Sequence, residues 1–176
     1  MLTRAGIVGR PNVGKSTFFN CLLGRSRAIV GDFAGVTRDY KEELLEIKNF
    51  QIQLVDTAGL KSSLITEQDK MINRHTLNLI DQLDIILFVI DAREGVTFED
   101  KEIFQVCRKL NKFILLVANK VETTSIEERF LKEDTNFFGL DNIFCVSSEH
   151  KIGIENVINA LMDICEENHF QFIKDE

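Results

Sequence analysis

Hydrophobic positions along the chain fall into two alternating rhythms. Short apolar runs rich in β-formers occupy Ala5–Val8, Tyr40–Ile47, Phe50–Val55, Ile85–Ile90, Phe113–Ala118 and Ile143–Val146. Segments with apolar residues three or four apart lie between most of them, at Lys15–Leu23, Glu67–Gln82, Phe98–Leu110, Ile126–Phe137 and Ile154–Cys165. The first rhythm predicts strands and the second predicts helices. Ile85–Ile90 and Phe113–Ala118 are hydrophobic at every position, which suits strands buried on both faces of a parallel sheet. Tyr40–Ile47 differs, because it carries Lys41, Glu42, Glu43 and Glu46 and reaches Phe50–Val55 through only Lys48-Asn49. A hairpin fits this pair, with the charged member an antiparallel edge strand whose charges discourage further pairing. The expected fold is three-layer α/β, built on a mostly parallel six-stranded sheet with one antiparallel edge strand.

The loop after the first strand carries the first chemistry. Gly9-Arg10-Pro11-Asn12-Val13-Gly14-Lys15-Ser16 fits G-x-x-x-x-G-K-S/T and is followed by Thr17 in a predicted helix. Strand, glycine loop and helix in that order make a phosphate cradle: backbone N–H groups and the helix N-terminus face a polyphosphate, Lys15 reaches its outer oxygens, and the Ser16 hydroxyl holds Mg²⁺. The expectation is a P-loop nucleotide-binding domain. Asp56 leaves the strand Phe50–Val55 and begins Asp56-Thr57-Ala58-Gly59. It suits the Mg²⁺ water shell, and the Gly59 N–H can approach a γ-phosphate unobstructed. A plain strand-end turn former is the other reading of Asp56. Thr37, in the non-periodic stretch Gly31–Asp39, offers a second hydroxyl for Mg²⁺ or is simply a loop residue. Such a loop, ordered only by γ-phosphate, is a switch. Lys61–Arg74 reads as a second switch with a mixed-charge surface.

Asn119-Lys120 and Ser147-Ser148-Glu149 each follow a strand at the edge where a base would lie. They resemble the N-K-x-D and S-A-x elements by which GTPases read guanine, with Glu122 in place of the Asp. Taken together, the elements resemble a small GTPase domain of the translation-factor class. The similarity is closer to the Der (EngA) family, and especially to the first of its tandem GTPase domains. GRPNVGKSTFFN (Gly9–Asn20), AIVGDFAGVTRDY (Ala28–Tyr40), LVDTAGL (Leu54–Leu60), IILFVIDA (Ile85–Ala92) and SSEHKIGIENV (Ser147–Val157) carry it, over about Arg4–Leu161. GVTRDY and the His150-bearing SSEHKIG stretch favour Der over the related Era and MnmE.

That resemblance implies GTP hydrolysis in the service of large ribosomal subunit assembly, within a longer protein bearing a second GTPase domain and a KH-like domain. It also implies a potassium ion near Asn12 bridging the phosphates; otherwise Asn12 is a turn former. Lys15, Thr37, Gly59 and Asn12 are then the expected catalytic group. Ser16, Thr37 and Asp56 are expected at Mg²⁺, and Asn119, Lys120, Glu122, Ser147, Ser148 and Glu149 around guanine. Two departures matter. Leu60 stands where many small GTPases place a water-orienting Gln, so slow intrinsic turnover is expected. Glu122 is one methylene longer than Asp, and either reaches the guanine edge with a shifted loop or points to solvent. A nucleotide-gated binding module with negligible hydrolysis is the alternative, and a P-loop kinase a more distant one, lacking an obvious Arg-rich lid.

Composition narrows the setting. Net charge is −7, from 21 basic and 28 acidic residues, which disfavours strong nucleic-acid binding by this domain alone. Four scattered cysteines without a C-x-x-C pair, and three histidines without ligand spacing, point to reduced thiols and no zinc. No signal peptide or membrane span is recognisable, and a cytoplasmic location is expected. Residues 1–168 are expected to form one GTPase domain, with 169–176 beginning a linker or a frayed tail. Arg10 and Arg38 are expected at solvated loop positions, with steering of phosphates the other reading for each.

Overall fold

The computed structural model describes the backbone of residues 2–25, 27–29, 41–48, 50–57 and 67–168, with side chains at 2–24, 41–48, 50–57 and 74–168. Thr37, Arg38, Gly59, Leu60 and the tail 169–176 lie outside these residues, as do residues 61–66 of the second switch stretch. Strands are β1 (Thr3–Val8), β2 (Arg27–Ile29), β3 (Lys41–Ile47), β4 (Phe50–Asp56), β5 (Ile85–Asp91), β6 (Phe113–Asn119) and β7 (Ile143–Cys145). Helices are α1 (Lys15–Arg25), α2 (Glu67–Asp81), α3 (Phe98–Lys109), α4 (Thr124–Glu133) and α5 (Ile154–Glu167).

The strands form one sheet in the order β2-β3-β4-β1-β5-β6-β7. Pairs from β4 through β7 are parallel, whereas β3 runs antiparallel to both β4 and β2. The expected three-layer, mostly parallel α/β fold with a single reversed strand is therefore present. One feature is additional: three-residue β2 pairs with the outer side of β3, so the charged strand is second from the edge. A three-residue strand carries too little periodicity to be read from sequence.

Fully apolar β5 shows why the parallel strands need no polar face. Ile85, Leu87 and Val89 pack into a core with α1 and α5, contributed by Phe18, Leu22, Val157 and Leu161. Ile86, Phe88 and Ile90 face the opposite core, with Ile80 from α2, Phe104 from α3 and Phe130 from α4. Alternate side chains point to opposite faces, so helices on both sides dry the strand completely. β1 lies between β4 and β5, and the chain leaves it in opposite directions to build the two halves of the sheet. Ligands bind at such a reversal, beyond the carboxyl ends of the strands.

Helix α4 departs from the periodicity most. It begins at Thr124, capped by the Thr123 hydroxyl accepting the Ile126 N–H, and stops at Glu133 instead of continuing to Phe137. The chain turns there so that Phe138 enters the second core, edge-on to Phe104 with ring centroids 4.7 Å apart. Tertiary packing of that ring outweighs continued helical pattern. Cys21, Cys107 and Cys165 are buried and Cys145 half-buried, all four as free thiols. Burial pushes the Cys107 thiol up to about 12, which leaves it inert at neutral pH. No helix among the described residues is long and apolar enough to cross a membrane.

Phe138 is 1% exposed and holds the 134–142 turn against α3. Phe138→Ala is expected to lower unfolding free energy by about 3–5 kcal/mol in urea denaturation. A loss below about 1 kcal/mol would mean that the turn is anchored elsewhere.

Candidate functional site

Close backbone approach shapes the loop between β1 and α1. A Cβ on Gly9 would lie 2.6 Å from the Val89 carbonyl oxygen of β5, so only glycine fits there. Gly14 has φ 93°, and a Cβ on it would lie 2.4 Å from Asn119 Nδ2. Asn12 is also left-handed at φ 68°, a conformation asparagine tolerates better than most residues. Val13 is completely buried and pins the loop to the core. Pro11 is half-buried, while Asn12, Ser16 and Thr17 are exposed at the cradle.

The Lys15 ammonium curls back into this loop. It donates to the carbonyls of Gly9 (3.0 Å) and Arg10 (2.8 Å). Burial pulls its pKa down, with Asp56 opposing the shift. Asp56 ends β4 with its carboxylate accepting from Ser16 Oγ at 3.1 Å. Desolvation raises the Asp56 pKa, against the Ser16 hydrogen bond and the Lys15 charge. A desolvated carboxylate beside a serine hydroxyl is a hard-oxygen donor set, and it fits a small divalent cation such as Mg²⁺. Thr57 secures this strand end by donating from both its hydroxyl (2.6 Å) and its N–H (3.2 Å) to the Ile7 carbonyl of β1.

Asn119, at the end of β6, is 2% exposed and bridges two loops. Its Nδ2 donates to the Val13 carbonyl (2.9 Å), and its Oδ1 accepts from the Ser148 N–H (3.1 Å) and hydroxyl (2.9 Å). The N–H of Ser148, a residue expected around guanine, is thus engaged by Asn119 in this structure. Cys21 of α1 donates its S–H to the Ser148 carbonyl. Ser147 is buried, and its N–H donates to the Ile152 carbonyl. Lys120 extends from φ 65° over the phosphate loop, donating to the Asn12 carbonyl (2.9 Å) and to Asp91 (2.9 Å).

Glu122 sits farther out. Its carboxylate lies 3.8 Å from His150 Nε2, with Glu149 in the same exposed group. Structure therefore brings Gly9, Arg10, Pro11, Asn12, Val13, Gly14, Lys15, Ser16, Thr17, Asp56, Asn119, Lys120, Ser147 and Ser148 to one end of the sheet, and leaves Glu122 and Glu149 on its rim.

Arg10 corrects the sequence reading. Its side chain is 11% exposed and not solvated, with Nε donating to Asp100 Oδ1 at 3.1 Å and a second arm paired with Glu94. Burial works against its charge, but Asp100 and then Glu94 more than compensate and raise its pKa. Sequence reasoning also passes over Asp91. Burial raises its carboxyl pKa, yet the Lys120 hydrogen bond and the Arg93 and Glu94 N–H groups outweigh that and hold it below the usual range. A signal for Asp91 existed, since it ends a strand just as Asp56 does.

A family model for the 50S ribosome-binding GTPase matches residues 4–120. GTPase Der of Thermotoga sp. (strain RQ2) is 39% identical over 164 residues, covering 92% of this chain and 37% of the relative. GTPase Der of Bartonella bacilliformis is 39% identical over 157 residues, covering 89% and 33%. The chain thus spans little more than a third of the length of these curated relatives. Among solved structures, Aquifex aeolicus Era bound to GDP·AlF4⁻ aligns with a TM-score of 0.73 at 28% identity, covering 92% of this chain and 56% of that one. An Era complex with MgGDPNP and a segment of 16S ribosomal RNA aligns at 0.69 and 29%, covering 92% and 56%. The family match runs from the first strand to the residue after β6, and the chain belongs to the 50S ribosome-binding GTPases.

Proposed function

We propose that this domain binds GTP·Mg²⁺ and hydrolyses it slowly, as the nucleotide-dependent switch of a longer protein that acts in large ribosomal subunit assembly. The observation carrying this reading is Asn119, whose buried amide joins the phosphate loop to the Ser148 loop. A polyphosphate cradle and a base-facing loop fixed to each other at one sheet end suit a nucleoside triphosphate. Membership in the GTPase family supports guanine as the base. Residues 1–168 form the switch domain in this proposal, and 169–176 lead toward further parts of the protein. The acidic net charge of −7 favours ribosomal contact through those parts, and a cytoplasmic setting without membrane binding accords with the four free cysteines.

Each residue then has a task. Lys15 exchanges the Gly9 and Arg10 carbonyls for the β- and γ-phosphate oxygens. Ser16, Asp56 and Thr37 hold Mg²⁺, Asp56 partly through water. Bound Mg²⁺ neutralises charge on the β- and γ-oxygens. The Gly59 N–H receives the γ-phosphate, and Asn12 is the side-chain ligand for K⁺. Asn119, Lys120, Ser147, Ser148 and Glu149 frame the base, and Glu122 reaches its edge only if it leaves His150. Because Leu60 cannot orient water, a nucleotide-gated module with negligible turnover is the second reading.

Competition against fluorescent GDP checks the base. GTP and GDP are expected to displace it and ATP to fail; equal displacement by ATP would refute guanine selectivity. Glu122→Asp, which shortens the side chain away from His150, is expected to tighten GDP binding about ten- to a hundredfold if it gains a charge-assisted hydrogen bond to guanine. Single-turnover hydrolysis is expected to run faster in K⁺ than in Na⁺. Equal rates would remove Asn12 from catalysis, and undetectable rates in both would favour the binding module.

A further inference from the structure

We infer that Arg10 is a positioning residue: locked to α3 through Asp100, it presets the phosphate loop and so raises nucleotide affinity without touching the nucleotide. This rests on the nucleotide-site reading above. Asp100 is completely buried, an environment a carboxylate tolerates only when fully hydrogen-bonded and paired. Its Oδ2 accepts the Thr97 N–H (2.9 Å) and hydroxyl (3.0 Å), closing the capping box that starts α3. Its Oδ1 takes the Arg10 Nε at 3.1 Å, which supplies the countercharge.

The partner surface is itself rigid. The turn between β5 and α3 wraps the Asp91 carboxylate, which accepts the Arg93 N–H at 2.9 Å. Arg129 of α4 donates to the carbonyls of Ala92 (3.0 Å) and Arg93 (2.9 Å) from the other side. Arg10 therefore ties the loop to a turn that two other elements already fix. Its backbone is equally constrained, since Pro11 disfavours the helical region for the residue before it and the Arg10 carbonyl holds Lys15 at 2.8 Å.

Two consequences follow physically. If Arg10 swung out to contact a phosphate, it would strand a buried carboxylate, a change that is strongly destabilising. As a tether, by contrast, it removes loop conformations before the nucleotide arrives, so less ordering is required on binding.

Arg10→Gln, Asp100→Asn and the double variant test this, with two readouts on each. Hydrogen exchange of the amides at positions 10 and 12–16 in nucleotide-free protein is expected to speed up in both single variants. The GDP dissociation constant is expected to rise roughly tenfold in each, and no further in the double variant. Arg10→Lys, which keeps a cation near Asp100, is expected to recover part of the affinity. Unchanged exchange, or folded variants with lowered Tm and unaltered GDP affinity, would overturn the inference and leave a purely structural ion pair. Weakening by Arg10→Gln but not by Asp100→Asn combined with Glu94→Gln, which removes both partners of Arg10, would overturn it in favour of a direct phosphate contact. Wild-type protein that binds no guanine nucleotide would instead overturn the functional reading, and with it the affinity role, while the exchange data still report whether Arg10 tethers the loop.

Discussion

The site end of the molecule hangs on the side chain of Asn119. One buried amide satisfies the Val13 carbonyl at 2.9 Å and the Ser148 N–H at 3.1 Å, groups on loops far apart in sequence. A buried polar group left unpaired costs about 1–3 kcal/mol, so the three loops settle together or pay that penalty together. The constraint reaches backward into the sequence as well. Gly14 must lack a Cβ because Asn119 Nδ2 already occupies the place 2.4 Å from where one would stand. Fully apolar β5 and β6 are what make this possible, since they bring Asn119 to the sheet end with no competing water.

Around that hub, charge is concentrated and each buried charge has a partner. Lys15 lies on two carbonyls, Asp56 on the Ser16 hydroxyl, Asp91 on Lys120, and Asp100 on Arg10. These pairs are not equivalent. Asp91 and Asp100 are held by several donors, and their contacts are within the fold, so they act as fixed braces. Lys15 and Asp56 are both shifted toward their neutral forms by burial. Added counter-charge relieves that desolvation: phosphate for the lysine, a divalent cation for the carboxylate. Within one loop, then, some charges are satisfied by the protein and others are disposed to gain from a ligand.

Most of the fold was legible because the sheet is covered on both faces. Continuous runs such as Ile85–Ile90 leave few alternatives, and the glycine loop between β1 and α1 carries its own spacing. What escaped was of two physical kinds. Short elements, β2 with three residues and the early stop of α4 at Glu133, are decided by pairing and by Phe138 packing, which no local period encodes. The fate of charged side chains is decided across the sequence. Arg10 looks solvated from its neighbours, and only the three-dimensional approach of Asp100, ninety residues away, shows where it goes. Asp91 escaped for the same reason, although its position at a strand end matched that of Asp56.

The side around Asn119 and Ser148 divides along the same line. Asn119 and Ser148 are buried and mutually bonded, so their geometry is set by the core and is insensitive to the solvent-facing loop. Glu122 lies two residues beyond Lys120 and follows Val121, whose N–H donates to the Val146 carbonyl at 3.0 Å. Its carboxylate is free to trade an exposed histidine at 3.8 Å for another partner. A contact of that length between exposed side chains contributes little, on the order of 0–1 kcal/mol, so it opposes such an exchange weakly. A longer side chain on the rim therefore need not disturb the loop framework beneath it. The loop framework and the rim charge are consequently separable in this domain: the first is secured by buried amides and braced charges, and the second is one carboxylate at the surface.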